Sequence, residues 1–228
     1  MKEDLIALDK IINFYYEKQQ KTRDFINQLD NLYKKGHNID INKEIPKDSE
    51  YIKSRIPLEI ILKCYAIQSD IAISKKYFLL STQNQEHIFF AKLICMTIKN
   101  GIDFINNIMC YLKKNLDIDD IELLISMLRI IHKHQDLINS IRNHSIAHID
   151  PYFTTYYDSM LNLFKMPFNE VIEGFIRLIQ YIQELSFKIN KIHLERQKEY
   201  LKETITSNIE FIRDETTILN KQEILKTL

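Results

Sequence analysis

The chain has few residues that break secondary structure, and it has no tryptophan. Its 228 residues include three glycines and four prolines. Because glycine and proline punctuate turns and short strands, their scarcity favours a small number of long helices. The many isoleucines would suit strands as well, so the period of the apolar residues has to decide, and it is helical over most of the sequence. We therefore predict an all-α protein.

The cysteines are too few and too isolated to form a disulfide or zinc framework. Cys64, Cys95 and Cys110 are odd in number, contain no C-x-x-C pair and fall in apolar stretches that we predict to be helical. This pattern is typical of reduced, buried thiols in a cytosolic protein.

Long hydrophobic runs are also missing. No apolar run approaches the roughly 18 residues that a membrane-spanning helix needs, and Lys92 interrupts the run over residues 88–98. Acidic residues, Glu3 and Asp4, follow the first methionine almost at once, so we expect no signal peptide. These features predict a cytoplasmic protein without a membrane partner.

Charge of neither sign dominates the chain. Lysine and arginine number 31, aspartate and glutamate number 31, and the formal net charge is zero. A protein without a global positive field is a poor candidate for general coating of DNA or RNA. Zero net charge is still compatible with an enzyme that contacts a few phosphates in a cleft.

Apolar spacing and the prolines divide the chain into helical segments. In chain order, we predict a helix over 2–34, a polar linker over 37–56, helices over 57–80 and 86–115, a helix that begins with Asp119 as N-cap and ends before Pro151, a short helix over 155–165, and a long helix over 169–200. Four long helices with short connections indicate an up-and-down bundle. We place this bundle at 57–200, with an N-terminal helix and linker at 1–56 and a charged helical tail at 201–228.

One stretch near the end of the fourth predicted helix of the chain is rich in chemically active side chains. Within ten residues it contains Arg142, Asn143, His144, His148 and Asp150. Arginine holds phosphate through a planar fork of donors and never loses its charge. Histidine both accepts and donates protons near neutral pH. RNA cleavage by the 2′-hydroxyl needs these two functions and no metal, because a proton must be accepted, a proton must be donated and phosphoryl charge must be stabilised.

Arg142 and Asn143, with His148 completing the pattern, resemble the R-x(4–6)-H signature of the HEPN superfamily. The resemblance covers about residues 57–200 and implies a HEPN-like bundle that forms a homodimer, with two copies of Arg142 and His148 lining one cleft. It implies a metal-independent endoribonuclease acting on tRNA or mRNA without a cofactor, like the toxin and abortive-infection effectors of bacterial phage defence. In that scheme His148 is the general acid and base, and Arg142 binds the phosphate. The resemblance also implies that an antitoxin or another regulatory partner binds the protein.

Three neighbouring residues are given supporting roles. Asn143 matches the polar residue that often follows the family arginine, and would orient the phosphate or the imidazole. Asp150 follows His148 by two residues and could hold that ring in one tautomer. His144 lies one helical turn before His148 on the same face, outside the family pattern, and we assign it to a supporting or substrate contact.

Alternatives remain open. An arginine and a histidine near a helix end can simply cap carbonyl groups and interact with the helix dipole. A non-catalytic HEPN-like module that binds a partner protein or a nucleotide would fit the zero net charge and the amphipathic flanks. His132 and His134 together with His144 and His148 resemble a metal set, but the two pairs lie too far apart along one helix to share an ion, so we predict no metal site.

Overall fold

The computed structural model describes residues 2–37, 49–139 and 166–227, and these residues form helices and short connections with no strand. The helices are α1 (Lys2–His37), α2 (Glu50–Leu80), α3 (Asn84–Asn115), α4 (Ile118–His132) and α5 (Phe168–Thr227). Residues 135–139 are helical as well. The prediction of an all-α helical bundle is confirmed, whereas the predicted short helix over 155–165 lies outside the described residues.

The chain divides into two compact units, Met1–Ile189 and Asn190–Leu228. The first unit contains α1 to α4 and the N-terminal part of α5. The residues of the second unit are helical as far as Thr227, where the sequence predicted a charged helical tail. Among the described helices, none combines the length and the hydropathy that a membrane span requires.

Helix α1 packs antiparallel against α2. Three side-chain hydrogen bonds show this direction. Lys76 near the end of α2 donates to Asp9 near the start of α1 (2.5 Å), and Tyr51 near the start of α2 donates to Asp30 near the end of α1 (2.6 Å). Between them, Gln19 donates to the carbonyl of Tyr65 (3.4 Å). Apolar residues of α1 recur at alternating spacings of three and four, which places them in one stripe along the helix. The stripe explains why α1 packs against α2 although Ile26 alone among its described side chains is buried.

The start of α2 differs from the prediction. We expected Pro57 to open this helix, but α2 begins at Glu50 and contains Pro57 in its second turn. The side chain of Ser49 caps the helix by accepting a hydrogen bond from the backbone N–H of Ile52 (3.3 Å), which satisfies one of the free donors at a helix start. Because Tyr51 is buried and hydrogen-bonded to α1, tertiary contacts stabilise the turn before the proline.

The core lies among α2, α3, α4 and α5. Ile71 of α2, Ile98 of α3, Leu124 of α4, and Phe175 and Leu178 of α5 are completely buried in one cluster. Burial of each such side chain contributes about 1.5–3 kcal/mol relative to exposure. The four helices therefore share one hydrophobic core, which fixes the position of α4 and of α5 as far as Ile189.

Two glycines let helices approach this core closely. A Cβ atom at Gly101 of α3 would lie well inside contact distance of the Phe175 ring. A Cβ atom at Gly174 of α5 would lie 3.2 Å from the terminal methyl of Ile131 in α4. Gly101 is therefore the place where α3 and α5 come together.

Helix α4 begins at Ile118, with Asp117 in the N-cap position, and not with Asp119 as its cap. The carboxylates of Asp117 and Asp120 accept hydrogen bonds from Nζ of Lys188 at 3.0 and 2.6 Å. These bonds to α5 occupy the acidic residues at the helix start, and the side chain of Asp117 makes no capping bond to α4 itself. A contact between helices thus selects a different first residue from the one that local capping rules predicted.

The cysteines are partly as expected. Cys64 and Cys95 are buried, which confirms the prediction for these two, but Cys110 is exposed because it lies on the outer face of α3. Burial raises the pKa of both the Cys64 and the Cys95 thiol to about 12. At neutral pH these two side chains are protonated and shielded, so they behave as small apolar residues.

We expect a thiol reagent to distinguish the three cysteines. At pH 8 the folded protein should take up one equivalent of iodoacetamide, at Cys110, and the protein unfolded in guanidinium should take up three. Peptide mass spectrometry would locate the labels, and Cys110→Ser should abolish labelling of the folded chain. Rapid modification of Cys64 or Cys95 in folded protein would contradict the packing of α2 against α3.

Candidate functional site

The predicted site residues lie between two described parts of the chain. They are Arg142, Asn143, His144, His148 and Asp150. All of them fall in segment 140–165, which lies outside the described residues. Their mutual geometry therefore stays a prediction, and the structure describes what comes before and after them: α4 with residues 135–139 on one side, and Met166 with α5 on the other.

Both flanks of this segment are attached to the same core. Ile138, two residues before it, is completely buried, and Met166, directly after it, is buried as well, with both side chains in the central cluster. Helix α5 then starts with a hydrogen bond from the backbone N–H of Val171 to the carbonyl of Pro167 (3.0 Å). The flanks of the predicted site are thus fixed by packing and by helix formation.

The helix that leads into the motif is interrupted. The backbone N–H of His134 donates to the carbonyl of Ile131 (3.0 Å), three residues back, in a turn at 133–134. Helical bonding resumes when the N–H of Ile138 donates to the carbonyl of His134 (3.0 Å). The predicted uninterrupted helix from Asp119 to the end of the motif is therefore wrong at this turn, and the faces of α4 cannot be extended directly to residues 142–148.

Positive charge is concentrated at the end of α4. Arg129, His132 and Lys133 are exposed there, and His134 is half-buried. Cations are favourable near a helix C-terminus, because the free carbonyl groups carry partial negative charge. Residues 129–148 include two arginines and one lysine but only one acidic residue, an aspartate, and they contain four of the chain's seven histidines. A chain of zero net charge is therefore locally rich in basic residues and histidines in the sequence that leads to the predicted site.

A groove lies between α4 and α5, the two long helices that flank the segment. Its volume is about 360 Å³, and its lining consists of Met127, Ile130, Ile131, Glu170, Glu173, Gly174 and Arg177. The floor is apolar, and the rim carries an ion pair between Arg177 and Glu173 (3.8 Å). Such a groove can accept an apolar or planar group beside one cation and two carboxylates, and its described lining includes no nucleophile or histidine.

The rim residues were not predicted from the sequence. Glu170, Glu173 and Arg177 recur at spacings of three and four, which places them on one face of a helix. That spacing was visible in the sequence, but it did not reveal that α4 would supply the opposite wall. Within the described ranges, no three histidine, cysteine, aspartate or glutamate side chains come together as a metal-binding group; His144 and His148 of the alternative metal set lie outside those ranges.

Comparison with known proteins identifies no relative: no family model matches, and neither a curated protein nor a solved structure matches. A functional assignment therefore depends on the chemistry of the motif and on the helices that flank it.

Proposed function

We propose that this protein is a metal-independent endoribonuclease of HEPN type, with Arg142 and His148 of two copies lining one cleft. The observation that carries the proposal is the sequence Arg142-Asn143, followed by His148, in an all-α protein. Within ten residues this stretch combines a fixed cation, two imidazoles and a carboxylate, and the polar Asn143 follows the arginine, whereas isoleucine follows Arg129 in the comparable stretch 129–136.

The reaction follows from the properties of these side chains. The 2′-oxygen of the RNA attacks the adjacent phosphorus while one His148 accepts the 2′-hydroxyl proton. The bond from phosphorus to the 5′-oxygen breaks, and the other copy's His148 donates a proton to that leaving oxygen. Arg142 binds the phosphoryl oxygens, whose negative charge increases in the transition state. The products are a 2′,3′-cyclic phosphate and a 5′-hydroxyl, so that atoms and protons balance without a metal.

Three residues have supporting roles in this proposal. Asn143 orients the phosphate or the imidazole, and Asp150 holds the His148 ring in one tautomer. His144 contacts the substrate or the neighbouring groups. Arg129 and Lys133, exposed at the end of α4, supply positive charge toward which an RNA backbone is attracted.

The proposed setting is bacterial defence. Under this proposal the enzyme is a cytoplasmic toxin or abortive-infection effector that cleaves tRNA or mRNA, and an antitoxin or another regulatory partner restrains it. The chemistry of the motif selects RNA over DNA, because the nucleophile is the 2′-hydroxyl. It does not select one RNA over another.

The second candidate is a non-catalytic helical module that binds a partner protein or a nucleotide. Helix α1 favours it, because large apolar side chains of this helix, Phe14, Phe25 and Leu32, are exposed on the side that α2 does not cover. Exposed apolar patches of this kind mark interaction surfaces. The two candidates differ in one observable result, which is whether the purified protein breaks phosphodiester bonds.

The proposed chemistry is tested by the ends of the products. After a cut has been mapped in an RNA transcript, a synthetic RNA of that sequence should yield a 2′,3′-cyclic phosphate and a 5′-hydroxyl. The same RNA with one 2′-deoxy nucleotide immediately 5′ of the cut should remain intact at that position. Products with a 5′-phosphate, or cleavage at the deoxy position, would show that water and not the 2′-hydroxyl attacks, and would refute the mechanism.

A further inference from the structure

The groove between α4 and α5 has an apolar wall and a charged wall. Side chains of α4 supply the apolar wall, and side chains of α5 supply the charged one. A side chain at position 174 would project toward Ile131, so Gly174 keeps the space between the walls open. The volume of about 360 Å³ is in the range of pockets that bind small molecules, which are mostly apolar and contain a few polar groups. A flat, partly polar group such as a nucleic-acid base suits this arrangement.

The two walls run antiparallel, which orders the groups along the groove. Tyr181 of α5 donates to Asp120 near the start of α4 (3.3 Å), whereas Gly174 lies opposite Ile131 near the end of α4. Glu170, four residues earlier in α5, therefore belongs to the end of the groove where α4 ends and α5 begins. Both flanks of segment 140–165 leave the described helices at this end, so the groove leads toward the predicted site.

Glu173 and Arg177 are neighbours on the charged wall, and both are accessible to a ligand. A guanidinium nitrogen of Arg177 lies 3.8 Å from a carboxylate oxygen of Glu173, and the two side chains are 74% and 60% exposed. An exposed ion pair of this kind contributes little to stability, so a ligand can replace it at small cost. The pair presents two carboxylate acceptors beside a planar fork of donors.

Guanine is the RNA base that matches both groups at once. Its N1–H and N2–H donors are adjacent and can both bond to one carboxylate, and its O6 and N7 acceptors can bind an arginine fork. Adenine and cytosine place an acceptor next to their amino group, and uracil has a single N–H between two carbonyls. Each of these bases would set an acceptor against a carboxylate oxygen, and polar groups left unpaired in this way are costly.

The other groups of the groove suit the rest of a nucleotide. The base ring can pack against Met127 and Ile130, of which Ile130 is 55% exposed. Lys133, exposed at the C-cap of α4 one helical turn after Ile130, supplies a cation for a phosphate at the end of the groove that leads toward the predicted site. Single-stranded RNA is commonly read through bases that are splayed out, packed by side chains and bonded along their edges.

We infer that the groove between α4 and α5 binds one guanine base of the RNA substrate. Glu173 accepts hydrogen bonds from N1–H and N2–H, and Arg177 donates to O6 and N7. The inference rests on the proposed function for the identity of the substrate. It adds a preference among RNA sequences, which the chemistry of the motif does not supply.

Binding of single nucleotides tests the groove in the full-length protein. Isothermal titration calorimetry would use the 5′-monophosphates of guanosine, adenosine, cytidine and uridine as separate probes. Guanosine monophosphate should bind about tenfold or more tightly than the other three, as one bidentate contact to a base predicts. Inosine monophosphate lacks only the N2 amino group of guanosine monophosphate, and it should bind about tenfold more weakly, because it leaves one carboxylate oxygen without its donor.

Substitutions on the charged wall locate the site. Glu173→Gln should remove the preference for guanosine over inosine monophosphate, because an amide offers one acceptor and sets a donor against the N2 amino group. Arg177→Ala should weaken binding of guanosine monophosphate by about tenfold. Glu184→Gln is the matched control, at an exposed position of α5 outside the lining of the groove, and should leave binding unchanged. Circular dichroism would verify that the variants fold like the native protein.

The cut sites of the native protein test the link between the groove and the substrate. Sequencing the ends of cleaved molecules from a mixed RNA pool should show guanosine at one fixed position near the cut. Glu173→Gln should remove this preference.

Guanosine monophosphate that binds no more tightly than adenosine monophosphate, or binding that neither Glu173→Gln nor Arg177→Ala affects, would overturn the inference. Cut sites without a preferred base, in a protein that cleaves RNA, would overturn it as well and would leave the proposed function standing. Selective guanosine monophosphate binding that depends on Glu173 and Arg177, in a protein that cuts no RNA, supports the groove and counts against the proposed function alone.

Discussion

Replacing His148 with alanine is expected to slow RNA cleavage by about 10²–10⁴-fold, the usual contribution of a positioned acid or base. Arg142→Ala should reduce the rate by about 10²–10³-fold, as the loss of one transition-state donor does. Arg142→Lys should give an intermediate rate, because lysine keeps the charge but not the planar fork that binds two phosphoryl oxygens. Single-turnover cleavage of a labelled RNA at saturating enzyme would measure these changes in the chemical step.

The chain supplies a matched control for this experiment. His132 is an exposed histidine at the end of α4, only sixteen residues before His148. It has no catalytic role in the proposed reaction, so His132→Ala should change the rate by less than about threefold, in line with the small effects of exposed substitutions. Equal loss of activity in His132→Ala and His148→Ala would indicate a general charge effect and would contradict the assignment of His148.

Replacing Phe175 with alanine is expected to lower the free energy of unfolding by about 3–5 kcal/mol. The Phe175 ring is completely buried in the central cluster and lies against Gly101 of α3. Its removal leaves a cavity where α3 and α5 meet, and the helix backbones cannot fully close it. Urea denaturation followed by circular dichroism would measure the change through the transition midpoint.

Gly101→Ala probes the same contact from the other side. An added methyl group would overlap the Phe175 ring, and overpacking of this kind costs about 1–3 kcal/mol, against a gain of about 1 kcal/mol in helix propensity. Gly174→Ala is the control, since its nearest neighbour is the flexible end of Ile131 at 3.2 Å; we expect it to be close to neutral. If the Gly101→Ala variant were as stable as the Gly174→Ala variant, the close approach of α3 and α5 would be refuted.

The helices that sequence reasoning located well are those whose apolar period is unbroken. Helix α3 was expected over 86–115 and begins two residues earlier, at Asn84. The start of α2 was missed because the proline at position 57 was given more weight than the cap at Ser49. The burial of Tyr51 against α1 decides that boundary, and a contact between distant segments cannot be read from local propensity.

The turn after α4 was missed for a related reason. Residues 133–134 contain neither glycine nor proline, and the apolar residues Ile131 and Ile138 continue a helical period across them, so the pattern indicated one helix. Ile138 packs into the core even though the backbone turns at residues 133–134, so the apolar period alone did not reveal the turn. Sequence reasoning singled out residues 142–150 as the candidate motif, which stays a prediction, and it missed the groove between α4 and α5 because that groove depends on which helices become neighbours.

The most direct test of the proposed function is cleavage of mixed tRNA and mRNA by the purified protein in EDTA, measured beside His148→Ala. The proposal predicts that the native protein cuts RNA in the presence of the chelator and that the variant, folded to the same extent, does not. A native protein that is folded and dimeric but cuts no RNA, or a variant that cuts as well as the native protein, would contradict it.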